Sequence, residues 1–246
     1  MPERHRTDEE RRHFDALATN YDGMFGYSAK KRQRKLDWLV KATQLSDRTT
    51  VLELGCGTGL STEKLAETTS ARIYAVDISH EMLRAAMTMR ARPNIIYQVA
   101  DVERLPFPPA AFDAVIGTFV LHHFNLQNAL AEICRVCKPG ARIGFCEPNM
   151  LNPVVFMINH VPQMREKWGN SPDETAFIRW ELKSLLVGYG FEDITIKPIE
   201  FVPGNLPGIL ASAIGKLGFW FEGISLIREI GGTLLISASR PWNRNE

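Results

Sequence analysis

The run VLELGCGTG, from Val51 to Gly59, places three glycines at alternate positions directly after a short apolar stretch. Glycine adopts backbone angles closed to other residues, so such a run lets the chain turn sharply at the end of a strand and approach a ligand closely. About 20 residues further on, at the end of the next apolar run, stands Asp77. A carboxylate there can accept hydrogen bonds from the hydroxyls of a ribose. Together the two features point to a nucleotide-like cofactor, whereas a glycine turn alone would mark only a tight corner.

The glycine spacing separates cofactor classes. Dinucleotide sites use G-x-G-x-x-G ahead of a helix whose N-terminus receives a pyrophosphate. Here the pattern is Gly55-x-Gly57-x-Gly59 with Leu60 following, and Glu53 stands two residues before the first glycine. A carboxylate so near the turn repels a pyrophosphate and attracts the ammonium or sulfonium of S-adenosylmethionine. NAD therefore falls behind. Cys134-x-x-Cys137 has a spacing used by metal and redox sites, but no second pair accompanies it and helical periodicity puts both on one core-facing turn. No metal is expected. Cys56, inside the glycine loop, reads as a small residue packed near the cofactor. Lys30 to Lys35 holds five cations in six residues at the start of a helix, spread around its circumference as on a solvated face. An anionic membrane surface, RNA or an acidic substrate are the other readings, the first being the best of the three.

These residues need elements to hold them. Thr7-Asp8-Glu9-Glu10 has the form of a capping box for a helix bearing Phe14 and Leu17 and ending near Asn20 to Gly23, and a second helix runs from Ser28 to Ala42. Strands and helices then alternate: TTVLEL, a helix from Leu60 to Thr68, RIYAVD, a helix from Ser79 to Met89, NIIYQVA, FDAVIG, a helix from Asn125 to Cys137, and ARIGFCE after a stop at Lys138-Pro139-Gly140. Continuously apolar strands of this kind are covered on both faces, as in a doubly wound parallel α/β sheet. Asn152-Pro153 and Ser171-Pro172-Asp173-Glu174 cap further helices, the last ending at Gly188 and Gly190. FEDITIKPI alternates instead, as a half-exposed antiparallel edge strand does, and GTLLISAS can pair with it. Between these two lie about thirty apolar-rich residues, more than a hairpin needs. With the apolar segment Asn152 to Met164, they either pack the back of the sheet or form a lid over an apolar pocket, resting on a bilayer.

Composition limits the alternatives. The chain has 246 residues, 45% apolar and 23% charged, which suits one globular domain. Its 29 Lys and Arg nearly cancel 28 Asp and Glu, so nothing chain-wide attracts a nucleic acid. The first 13 residues are mostly charged and lack the apolar core of a signal peptide. A cytoplasmic protein with four reduced thiols, Cys56, Cys134, Cys137 and Cys146, is expected.

From about Phe14 to Asn149 the sequence resembles the class I S-adenosylmethionine-dependent methyltransferases. VLELGCGTG resembles their first motif, AVDIS the second, VADVERLPFPPAAFDAVI the next, and RVCKPGARI their R-V-L-K-P-G-G turn, departing only at Cys137 and Ala141. FDALATNYD and LHHF look closest to the small-molecule branch containing the ubiquinone and menaquinone biosynthesis enzymes. The resemblance implies a Rossmann-like seven-strand sheet of order 3-2-1-4-5-7-6 with its last strand antiparallel, N-terminal helices and a helical lid insertion. It also implies Glu53, Gly55 and Gly57 around the methionine part of the cofactor, with Cys56 packed nearby, Tyr21 near its carboxylate and Asp77 on the ribose. Ile78, Asp101 and Val102 would then surround the adenine, with Thr118 at the end of the fourth strand. The division implied is one domain over 1–246, with N-terminal helices at 1–45, a cofactor-binding core at 46–149, and acceptor-side segments at 150–190 and 200–231.

Methyl transfer from a sulfonium is an in-line displacement, so positioning and exclusion of water can supply most of the catalysis. A phenol or an acidic carbon as acceptor would also need a base. His122 and His123 after the fourth strand, and Glu147 after the fifth, stand where that base would act, though each could equally be structural; His160 is more remote. The expected activity is methylation of a small, hydrophobic acceptor. An RNA or protein methyltransferase using the basic helix is the alternative, although Gly117-Thr118-Phe119-Val120 stands where an Asn-Pro-Pro-Tyr-like motif would be. A non-catalytic S-adenosylmethionine binder is a third, against which intact Glu53, Asp77 and Asp101 argue.

Overall fold

Five largely apolar segments form the parallel part of the sheet, which helices cover on both faces except at its outer strand, where Ile96 and Val99 are exposed. The five segments are Thr50–Leu54 (β1), Arg72–Asp77 (β2), Ile95–Val99 (β3), Phe112–Thr118 (β4) and Cys137–Pro148 (β5), and they pair in parallel. Glu192–Ile199 (β6) and Thr233–Ser239 (β7) complete the sheet, with β7 antiparallel to both β5 and β6. In the computed structural model, which describes residues 3–24, 29–167, 175–200 and 225–242, the order is β3-β2-β1-β4-β5-β7-β6. This is the Rossmann-like α/β methyltransferase architecture expected from the sequence.

One face of the sheet buries Leu52, Leu54, Val115 and Ile143 against Leu130 and Ile133 of Leu126–Val136 (α6) and Leu182 and Leu186 of Arg179–Gly188 (α9). The other buries Val51, Ile73, Ala75 and Ile116 under Ala29–Thr43 (α3), Leu60–Thr68 (α4) and His80–Met89 (α5). Each fully buried aliphatic side chain contributes roughly 1.5–3 kcal/mol relative to exposure, so both layers hold the strand ends firmly. Helix starts are fixed by side-chain caps: Ser79 accepts from Met82 N at 3.1 Å, Asn125 from Gln127 N at 3.1 Å, and Asn152 from Val154 N at 3.0 Å with Pro153 in the first turn.

Four local expectations are corrected. The first helix (α1, Glu3–Leu17) begins a turn before Thr7, because the charged residues ahead of the capping-box pattern are themselves good helix formers. It leads to the short helix Tyr21–Met24 (α2). Cys137 is not on a helix: α6 stops at Val136 and β5 begins at Cys137, which pairs with Phe112 before the register shifts to Ala114 with Arg142. Cys134 and Cys137 therefore lie on different elements. Helix α9 starts at Arg179, since Phe177 bridges Asn149 and keeps the chain extended; the Ser171 cap lies outside the described residues. The basic run on α3 is not wholly solvated. Lys35 is buried, its Nζ 2.8 Å and 2.9 Å from the two Glu200 carboxylate oxygens, and burial lowers the Lys31 amine. Past Asn152, Pro153–His160 (α7) and Pro162–Lys167 (α8) are helical; most of the apolar segment between β6 and β7 lies outside the described residues.

Candidate active site

The loop after β1 is shaped by three glycines that take left-handed angles, Gly55 at φ 62°, Gly57 at φ 54° and Gly59 at φ 79°. A side chain on Gly55 would come within 2.2 Å of Val120, so this turn and the loop after β4 are in direct contact. Cys56 N donates to the Val76 carbonyl at 3.0 Å, and Asp77 at the end of β2 answers by accepting from Gly57 N at 2.8 Å. Its other oxygen accepts from Ser79 N at 2.9 Å. Burial pushes the Asp77 carboxyl up, and these backbone N–H groups and His123 partly offset that. A carboxylate oxygen has room for a second donor, so Asp77 can receive ribose hydroxyls while holding the loop.

Over the strand ends lies a cleft open to solvent. Gly55, Gly57, Asp77, Ile78, Asp101 and Val102 form one wall. Thr7, Glu10 and Phe14 of α1, with Tyr21 of α2, form a second, and Phe119, Val120, His123 and Phe124 after β4 a third. Asp101 caps a single 3-10 turn, Val102–Arg104, by accepting from Glu103 N at 2.9 Å, which fixes the depth at which Val102 enters the cleft.

Glu53 is buried in β1 beneath this cleft, and its Oε2 has no hydrogen-bond partner among the described residues. Burial raises its carboxyl to about 7, which the Thr62 hydroxyl offsets in part and the Asp77 charge reinforces. A buried carboxyl left short of donors is costly unless a cation completes it. The ammonium of the adenosyl cofactor is such a cation. With the glycine cradle and Asp77, this orphaned oxygen makes the residues present a fit for S-adenosylmethionine.

The paired histidines have separate fates. Leu121–His123 is a 3-10 turn in which the two histidine rings lie side by side but meet different partners. His122 is buried, and its Nδ1 lies 2.7 Å from Glu147 Oε2. Glu147 is wholly buried, and its Oε1 accepts from Val120 N at 3.0 Å and Leu121 N at 2.9 Å. Thus Glu147 braces the loop from below. His123 faces the cleft instead, its ring 4.2 Å from that of His122 and 5.1 Å from that of Phe14.

Of the residues singled out in the sequence, Tyr21, Gly55, Gly57, Asp77, Ile78, Asp101, Val102 and His123 line one cleft. Glu53, Cys56, Thr118, His122 and Glu147 do not line it. Thr118 pairs with Cys146 in the sheet, and Phe119, at φ 54°, turns into the cleft in its place. The Cys56 thiol is buried and pushed well above its ordinary value by desolvation, so it suits packing rather than attack. His160 ends α7, exposed, stacked on Phe156 with ring centroids 4.0 Å apart. Sequence reasoning missed the α1 contribution, Thr7 and Glu10 above all, and the aromatic pair Phe119 and Phe124.

Comparison with known proteins gives the class. Residues 52–145 match the family model described as a methyltransferase domain. A demethylmenaquinone methyltransferase of Thermobifida fusca is 31% identical over 179 residues, covering 67% of this chain and 75% of the relative. The chain belongs to the class I S-adenosylmethionine-dependent methyltransferases. An uncharacterized methyltransferase-like protein of Schizosaccharomyces pombe is 28% identical over 63% of this chain, which spans 59% of that relative's length. Among solved structures, the complex of the Haloferax volcanii Trm112 methyltransferase activator with its methyltransferase aligns with a TM-score of 0.70 at 20% identity, covering 93% of this chain and 97% of the other. Among the described residues no helix is long and apolar enough to cross a membrane.

Proposed function

We infer that this methyltransferase acts on a small, hydrophobic acceptor carrying an ionisable group, and that His123 removes the acceptor's proton. The observation that carries the reading is that His123, edge-on to Phe14, lines the same cleft as Phe119, Phe124, the glycine loop and Asp77. Glu53, Gly55 and Gly57 would hold the methionine part of the cofactor and Tyr21 its carboxylate. Asp77 would take the ribose, and Ile78, Asp101 and Val102 the adenine. When bound, the cofactor supplies an electrophilic methyl on its sulfonium. The aromatic wall then holds the acceptor and excludes water, the condition under which positioning accelerates displacement most. Relatives named demethylmenaquinone methyltransferase support a quinol-like acceptor. The burial of Lys35 against Glu200 counts against the basic helix as an RNA-binding face.

In this reading one domain spans 1–246, with helices at 1–45 closing the cleft, the core at 46–149, and 150–190 and 200–231 on the acceptor side, where membrane contact would serve a lipophilic acceptor. The test is transfer from methyl-labelled S-adenosylmethionine to a short-chain demethylnaphthoquinol. Labelled product with the wild type and a loss of about a hundredfold or more in His123→Asn, at unchanged cofactor affinity, is expected. Label entering only RNA or protein from a cell extract would overturn the acceptor class, and full activity of His123→Asn would remove the base.

A further inference from the structure

Helix α1 brings an acidic side chain to His123 from a part of the chain more than a hundred residues away. Glu10 Oε2 lies 3.3 Å from His123 Nδ1, with the side chains only 10% and 13% exposed. One turn further, Phe14 meets the His123 ring edge-on, and Asp15 accepts from Ser79 Oγ at 2.6 Å and Glu81 N at 3.3 Å. Asp15 thereby ties α1 to the start of α5, beside Asp77 and Ile78. Thr7, Glu10 and Phe14 also line the cleft. The helix that walls the cleft is therefore the helix that brings a carboxylate to the imidazole. An aliphatic residue at position 10 would pack against Phe14 without the cost of burying a charge. A carboxylate there is explained by what it does to the histidine.

We propose that Glu10 is a positioning residue for His123, and that α1 couples enclosure of the cofactor to completion of the base. A carboxylate at Nδ1 holds the proton on that nitrogen and leaves the lone pair on Nε2, the form able to take a proton from an acceptor. At 3.3 Å the two atoms are in ion-pair contact without the alignment of a hydrogen bond, and in this proposal seating of α1 on bound cofactor supplies that alignment. The proposal rests on His123 being the base, and its test separates the two.

Full-length protein labelled with 13C and 15N at histidine, saturated with S-adenosylhomocysteine at pH 8.5, reports each imidazole tautomer by NMR without any acceptor. Wild type is expected to show His123 protonated at Nδ1. Glu10→Leu should shift it by a third or more of the population toward the Nε2–H form, the commoner one in water, and Glu10→Gln, which keeps an acceptor oxygen, should restore most of the wild-type signal. In the labelled-methyl assay with the short-chain demethylnaphthoquinol, Glu10→Leu should lower kcat about tenfold or more while cofactor Kd changes less than about threefold, and should add nothing in a His123→Asn background. An unchanged tautomer in a folded Glu10→Leu protein, or a loss of kcat matched by an equal loss of cofactor affinity, marks Glu10 as packing and overturns the proposal. If Glu10→Leu does not fold, Glu10→Gln and Glu10→Asp decide by the same spectra. Full activity of His123→Asn would instead remove the base while the tautomer result still judges Glu10.

Discussion

The two ends of the cleft are built by opposite means. At the cofactor end, Gly55, Gly57 and Asp77 come from two adjacent strands, and the backbone itself does most of the holding, through Gly57 N to Asp77 and Cys56 N to Val76. On the opposite side, His123 and Glu10 line the cleft while His122 and Glu147 lie buried behind it, and side chains from the loop after β4, from β5 and from α1 meet one another across the fold. Backbone geometry tolerates drift in surrounding residues, whereas a chain of buried polar side chains fails as a unit. The glycine-loop side is thus robust and the histidine side is the part that can be retuned.

The sharpest break is expected from Glu147→Ala. It strips Val120 N, Leu121 N and His122 of a shared partner, so urea denaturation should show a loss of about 3 kcal/mol, with Glu147→Gln costing roughly half as much. Next, Gly55→Ala should weaken the cofactor about a hundredfold by calorimetry, since its added carbon meets Val120 at 2.2 Å as well as the strained angle. Gly57→Ala, whose nearest neighbour would be Tyr21 at 3.5 Å, should cost clearly less.

A third expectation sharpens the comparison through pH. Glu53 titrates at about 7 when buried against 4.5 ordinarily, so the folded unliganded protein binds a proton the unfolded chain has lost between these values. Its share of stability is present below pH 4.5 and lost as pH rises to about 7. Cofactor affinity runs the other way: the ammonium needs the carboxylate, so binding should weaken up to about tenfold per unit as pH falls below 7, and Glu53→Gln should flatten that slope. The smallest effect is expected from Asp15→Ala, about 1 kcal/mol in a thermal melt, from loss of the tie between α1 and α5.

Legibility in the sequence follows the same division. Gly55, Gly57 and Asp77 lie within one strand–helix–strand unit, so short-range pattern exposes both their conformation and their chemistry. The sheet order came from the family resemblance, and strand character told only the antiparallel β6, which alternates, from β1 to β5, which do not. Glu10 was hidden since Thr7-x-x-Glu10 satisfies a capping pattern, and only tertiary packing turns that carboxylate toward His123. His122 and His123 are neighbours of identical chemistry; the 3-10 turn that sends one inward and one to the cleft leaves no mark in composition. Phe119 needs a positive φ that its residue type does not advertise.

The position of β7 has a consequence for synthesis. A chain made from its amino end completes β1 to β5 and α6 long before Thr233–Ser239 exists, yet that strand is the one inserted between β5 and β6. Until it emerges, β5 presents an open edge and β6 has nothing to pair with, while the parallel cofactor-binding strands already have all their neighbours. The ribosome therefore delivers a nascent chain whose glycine loop can be in place while its opposite flank is still a sticky, unfinished border.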